Sequence, residues 1–110
     1  MVTSAPESLS VSISSELRPE IRWAPDFGVG WLHVGRRDKN QIVWEMWDGD
    51  STNSIRPPVR YGILPNGAIE MEPPVSLEPG VEYEVSLGRF THDRPFGRVL
   101  MQVARVKFTP

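Results

Sequence analysis

Four residues come closest to a chemical constellation: Trp31 and His33 in one run, Glu45 and Trp47 in the next. Tryptophans left on a sheet face stack on sugar rings or anchor a protein partner, because each offers a large apolar area and one N–H donor. The plainer reading is that the two indoles cover the edge of a core and pair across strands, worth about 0.5–1 kcal/mol. His33 beside Glu45 reads as a cross-strand pair. His92-Asp93 reads as a solvated loop pair. Two histidines in different runs, with no third ligand at a recognisable spacing, make no metal site, and no cofactor is expected. Arg36-Arg37-Asp38-Lys39 is a basic tip suited to a phosphate or carboxylate, although such turns mostly keep a strand edge soluble. The chain has no Gly-x-Ser-x-Gly elbow, no phosphate-cradling glycine loop and no His-Glu-x-x-His. Glu70, Glu72, Glu82 and Glu84 alternate as solvent-facing residues do, and a catalytic acid needs a cleft that shifts its pKa. The expectation is a non-catalytic protein.

Composition bounds what can carry these residues. In 110 residues there is room for one core, and 39% hydrophobic with 24% charged residues is ordinary for a folded domain. Twelve basic against 14 acidic side chains, interleaved, argue against a phosphate-backbone binder, so no nucleic-acid partner is expected. No apolar run approaches the roughly 20 residues that span a bilayer, so membrane insertion is not expected. Cysteine is absent. The first residues, Met-Val-Thr-Ser-Ala-Pro-Glu, lack a basic and an apolar export region. The localisation stays open: cytoplasmic if the chain is complete, extracellular or periplasmic if it is cut from a longer precursor.

Eleven prolines at short intervals leave few windows for a helix, which points to strands and turns. Residues 1–8 read as a flexible lead-in and residues 9–110 as a single domain. Leu9, Val11 and Ile13 alternate with serines, the period of a half-buried strand. Leu17 to Ala24 gives a second strand, closed by a turn at Pro25-Asp26-Phe27-Gly28. Trp31–Arg36 and Gln41–Trp47 flank Asp38-Lys39-Asn40, a three-residue hairpin loop with Asn40 left-handed. That register sets Leu32 opposite Met46, Val34 opposite Trp44 and Arg36 opposite Ile42 on a core face. It sets Trp31 opposite Trp47 and His33 opposite Glu45 on the other. A two-residue loop would bury Glu45 opposite Val34, which is costly.

Gly49–Pro58 reads as a polar surface loop, and Val59, Tyr61 and Ile63 as a short strand. Ile69 and Met71 read as the dry face, and Glu70 and Glu72 as the wet face, of a strand that Pro73-Pro74 marks as a sheet edge. Val81–Arg89 alternates again; a loop over Thr91–Gly97 leads to a last strand, Arg98–Phe108. Seven or eight short strands separated by turns predict an all-β, antiparallel two-sheet sandwich.

Two segments resemble the fibronectin type III or immunoglobulin-like sandwich. Ile21-Arg22-Trp23-Ala24-Pro25 is similar to the second strand of the fibronectin type III family, whose tryptophan sits at the centre of the core. Leu77-Glu78-Pro79-Gly80-Val81-Glu82-Tyr83-Glu84-Val85 is similar to its Leu-x-Pro-Gly-x-x-Tyr-x-Val signature. The resemblance implies that Trp23, Leu77 and Tyr83 are structural. It implies a tyrosine corner that returns the Tyr83 hydroxyl to upstream backbone, with Trp23 and Tyr83 meeting in mid-core. It also implies that Glu84, Ser86 and Gln102 neighbour the Trp31–Trp47 face. Residues 48–72 are longer and richer in proline than the family pattern, which leaves their strand order open. The expected core is Ile21, Trp23, Leu32, Val34, Trp44, Met46, Tyr83, Val85 and Leu87. The expected function is an interaction module binding a protein partner, or a second copy across a two-fold axis, through a sheet face or edge strand. A carbohydrate-binding or spacer domain of a larger exported bacterial protein is the alternative, so a glycan remains a possible ligand.

Overall fold

This computed structural model describes residues 10–50, 52–93 and 97–110, with the backbone alone at 92, 93 and 98, and among the described residues there are eight strands and no helix. The proposed lead-in and Leu9, and the side chains of the His92-Asp93 pair, lie outside the described residues. The strands are β1 (Ser10–Ile13), β2 (Glu20–Ala24), β3 (Trp31–Arg36), β4 (Gln41–Asp48), β5 (Val59–Arg60), β6 (Ala68–Glu72), β7 (Tyr83–Asp93) and β8 (Gly97–Phe108). They make two antiparallel sheets, one in the order β1-β2-β5 and the other in the order β6-β4-β3-β7-β8. The all-β sandwich expected from the alternation is the architecture found.

The core is what the inward positions of this alternation leave together. All nine expected core residues are buried, joined by Val29, Val43, Ile55, Val59, Tyr61, Leu77 and Val103. Tyr83 stacks on Phe108 at 5.7 Å, and its hydroxyl accepts the Glu78 N–H at 2.8 Å, the upstream bond of a tyrosine corner. Gly80 supplies the left-handed turn (φ 80°) that lets the chain double back there. The mid-core meeting of Trp23 and Tyr83 is not the ring pairing observed. Trp23 is held by its own turn, its Nε1 donating to the Phe27 carbonyl at 2.9 Å, while Trp44 and Tyr61 meet edge to face at 5.1 Å.

The β3–β4 hairpin keeps the predicted register from Trp31↔Trp47 to Val34↔Trp44 and then departs from it. Four residues, Arg37–Asn40, close the hairpin rather than three, and Asn40 is left-handed (φ 49°). One extra residue must then be absorbed, and Val43 takes that place: Gly35 pairs with Ile42, and Arg36 with Gln41. A bulge points two successive side chains the same way. Val43 and Trp44 are both buried, and Ile42 is turned out to solvent.

Residues 48–72 differ most from expectation. The 49–58 segment is not simply a surface loop: Ile55 is buried and bridges Val29, with N–H···O distances of 2.7 and 3.0 Å. The strand expected over Val59–Ile63 shortens to β5, because a turn follows in which the Ile63 N–H returns to the Arg60 carbonyl. The strand expected from Leu17 begins only at Glu20, and Leu17 is exposed. β6 is an edge strand, as the tandem prolines imply, but its faces are not dry and wet. Ile69 and Met71 are 53% and 54% exposed, since Met71 is an extra residue against β4 and nothing packs outside an edge. Glu70, expected in water, accepts the Trp44 Nε1–H at 2.9 Å.

Two buried phenols thus tie loops to sheets. Replacing Tyr83 with Phe strands the Glu78 N–H, and replacing Tyr61 with Phe strands the Val75 carbonyl. Each change is expected to lower unfolding stability by about 1–3 kcal/mol, read from urea denaturation midpoints. A loss below about 0.3 kcal/mol in both would show that water replaces these bonds.

Candidate functional site

The outer face of the five-stranded sheet is ordered by its hydrogen-bond register into rows. One row crosses all five strands: Ile69, Trp47, Trp31, Gly88 and Gln102, one residue from each of β6, β4, β3, β7 and β8. The next runs Glu72, Glu45, His33, Ser86 and Arg105. An apolar row therefore lies beside a polar one, and all four candidate residues fall in these two rows. Ser86 and Gln102, named from the resemblance, lie there too, with Glu84 opposite Gly35 one row further on.

The aromatic groups form a continuous series. Phe90 lies 5.8 Å from Trp47, Trp47 lies 6.1 Å from Trp31, and Trp31 stacks on His33 at 5.3 Å. Both indoles are half-buried rather than freely exposed. Glycines on adjoining backbone explain this. A Cβ on Gly88 would sit 2.9 Å from Trp31 Cε3 and 3.0 Å from Leu100 Cδ1, so indole and leucine close over the gap that glycine leaves. A Cβ on Gly30 would sit 2.4 Å from the Phe90 ring, so Phe90 reaches Trp47 only across a bare backbone. The Trp31 Nε1–H is committed to Glu45 Oε2 at 2.7 Å.

His33 is electrostatically tuned by the same packing. Burial lowers its pKa below the ordinary 6.5, although the charges of Glu45 and Glu84 pull upward. The imidazole is therefore held neutral near pH 7, beside a groove of about 530 Å3 that runs toward the hairpin tip past Gly35, Ile42 and Arg105. The basic tip is not a free anion site. Arg36 pairs with Asp38 and Glu78, Arg37 with Glu82 and Glu84, and Arg105 with Glu84. Among the described residues no group of three or more His, Asp or Glu side chains is placed to hold a metal. Among the described residues no helix is long and apolar enough to cross a membrane.

Sequence reasoning missed the residues that brace this face. Asp48, at an inward position of β4, is buried and accepts the backbone N–H groups of Asp50, at 2.8 Å, and Ser54. Burial alone would raise its pKa. The Ser54 hydroxyl and the N–H groups of Asp50, Ser54 and Thr52 outweigh that and hold the carboxyl below 3.8. Asn53 (φ 60°) then brackets Phe90, donating to its carbonyl at 2.9 Å and accepting its N–H at 2.7 Å. The signal was present in the sequence: an acidic residue on an inward step of a strand, followed by Gly-Asp-Ser-Thr-Asn. A separate hollow of about 330 Å3 lies where the 73–77 segment leaves β4, walled by Leu17, Tyr61, Val75 and Leu77 with Arg18 beside it.

Compared with family models, curated proteins and solved structures, the chain matches none.

Two acid limbs follow from these titrations. With the folded His33 pKa below 6.5, the unfolded chain binds more protons between the two values; stability is full above pH 6.5 and falls as pH drops through that window. With the folded Asp48 pKa below 3.8, its stabilisation is full above pH 3.8 and disappears as pH falls through the folded value. Denaturation midpoints against pH should therefore lose the upper limb in His33→Gln, while the lower limb flattens in Asp48→Asn. Profiles parallel to the parent in both variants contradict the assignment. A third variant tests the packing: Gly30→Ala should cost about 1–3 kcal/mol by displacing Phe90, with near-ultraviolet circular dichroism of the tryptophans changing in step.

Proposed function

We propose that this chain is a non-catalytic interaction module that binds a protein partner through the outer face of its five-stranded sheet. The observation that carries the reading is the apolar row through Trp47 and Trp31. Ile69 stands 53% exposed at one end, and Leu100, 36% exposed, packs beside Trp31 toward the other. A tryptophan seated on glycine, as Trp31 is on Gly88, loses little side-chain freedom on binding, the property of an efficient contact residue. The flanking row of Glu72, Glu45, His33 and Arg105 supplies a polar rim.

A protein surface fits this face better than a sugar ring does. The two indole planes are tilted 45° to each other, so no flat stacking platform is on offer, and the Trp31 N–H is already bonded to Glu45. We also infer a fibronectin type III or immunoglobulin-like ancestry, supported by the Tyr83 corner and by the neighbour order. In immunoglobulin terms, β1-β2-β5 takes the places of strands A-B-E, and β8-β7-β3-β4-β6 the places of G-F-C-C′-C″. One feature departs from that scheme: the chain visits the E place before the C″ place.

The test is a photo-crosslinking amino acid placed at Ile69 and, as a control, at Lys39 on the hairpin tip. The expected result is a discrete protein adduct from Ile69 alone, reduced at least about tenfold by Leu100→Ser. Absence of an adduct, together with saturable binding to a glycan array, overturns the reading in favour of carbohydrate.

A further inference from the structure

The same sheet ends in two unlike edges. Among the described residues β6 pairs only with β4, and β8 only with β7, so the outer backbone groups of both strands lack a ladder partner. The β6 sequence, Ala-Ile-Glu-Met-Glu, carries two acids and no base. The β8 sequence, Gly-Arg-Val-Leu-Met-Gln-Val-Ala-Arg-Val-Lys-Phe, carries three bases and no acid. Neither Glu72 nor Lys107 is in an ion pair among the described residues, although both are exposed. Each edge also shows two exposed apolar side chains, Ile69 and Met71 on β6, and Leu100 and Met101, 36% and 40% exposed, on β8.

We propose that copies of this chain associate head to tail, the β6 edge of one against the β8 edge of the next. Charge decides between this and the two symmetric alternatives. A two-fold pairing of β6 with β6 centred on Met71 opposes Glu70 to Glu72, and one of β8 with β8 centred on Val106 opposes Arg105 to Lys107. Like charges directly across strands are destabilising. Charged edge strands ordinarily prevent edge-to-edge pairing. Here the opposite signs block the like pairings and permit the unlike one.

Geometry is consistent with it. Every pairing from β6 across to β8 is antiparallel, so after four steps β6 and β8 run in the same direction. A copy displaced along the rows adds a parallel strand pair with the rows kept: Glu72 comes against Arg105 of the next copy, and Ile69 against Gln102 with Leu100 close by. The contact is short, since β6 has five residues and Pro73-Pro74 ends its ladder. It is therefore weak, salt-sensitive and concentration-dependent. Because the two surfaces differ, the association does not close on itself by a two-fold, and the strand twist makes the product an open, helical series. This inference shares Ile69 and Leu100 with the partner-binding face but not Trp31 or Trp47, so that face survives if it fails; an Ile69 adduct to a second copy supports this inference, and an adduct to another protein supports the face.

Sedimentation velocity of the whole chain tests it over a concentration series, at about 50 mM and about 500 mM salt. The expected result is an average mass that climbs past the dimer without a plateau at low salt, and returns toward monomer at high salt. Glu72→Lys alone removes the net acidity of the β6 edge, and Lys107→Glu alone weakens the basic edge. Each should weaken association by about tenfold, with circular dichroism spectra like the parent. An equimolar mixture of the two variants should form a dimer that neither forms alone, because Glu72→Lys keeps the basic β8 edge and Lys107→Glu keeps the acidic β6 edge. For the parent chain a plateau at dimer mass or a monomer under all conditions overturns the proposal, as does the absence of a mixed dimer. The concentration and salt series on the parent chain decides it even if a variant does not fold.

Discussion

The bulge at Val43 and Trp44 is the constraint on which the rest of this sandwich depends. By turning two successive β4 side chains inward, it places Trp44 between the sheets and aims the Val43 carbonyl across the open side of the molecule. That carbonyl receives the Val75 N–H at 2.8 Å and lies 3.1 Å from the Tyr61 hydroxyl, which donates more closely, at 2.6 Å, to the Val75 carbonyl. The Trp44 indole packs on Tyr61 and donates to Glu70. The irregular segment 73–77, the strand β6 and the turn after β5 are thus all attached to one two-residue irregularity. Burial pushes the Tyr61 phenol above its ordinary pKa, with the bond to Val75 working against it, so the hydroxyl stays a donor.

The outer face follows from a complementary economy of side chains. Gly88 and Gly30 leave gaps in the sheet surface, and Trp31, Leu100 and Phe90 lie over them. The Trp31 ring thus covers structure on the side that rests on Gly88 and leaves its remaining area on the outer face. Asp48 and Asn53 contribute at one remove, fixing the 49–54 turn and, through Phe90, the end of the aromatic series.

Much of the candidate site was legible in the residues. Trp31, His33, Glu45 and Trp47 share a face because β-alternation has period two, and the cost of burying Glu45 selects the register that places them together. Tyr83 with Leu77 and the Pro-Gly turn was legible for a similar reason: a short local motif satisfies its own hydrogen bond. The four-residue hairpin loop was not legible, because three- and four-residue loops share turn residues, and the choice rests on whether Val43 finds room in the core. Ile69 and Met71 misled for a related reason. Alternation marks which residues share a face but not whether anything packs against that face.

The sequence by itself determined the class of fold, the alternation of the long strands away from their bulges and nine residues of the core, since these depend on local period and on keeping charge out of apolar surroundings. Tertiary structure alone decided that Ile55 and Asp48 are interior, that β5 and β6 go to different sheets, and that the outer strands carry opposite charge. Each of those outcomes is a relation between segments far apart in the chain. No local pattern encodes it, because the energy that selects it arises only when both surfaces are present.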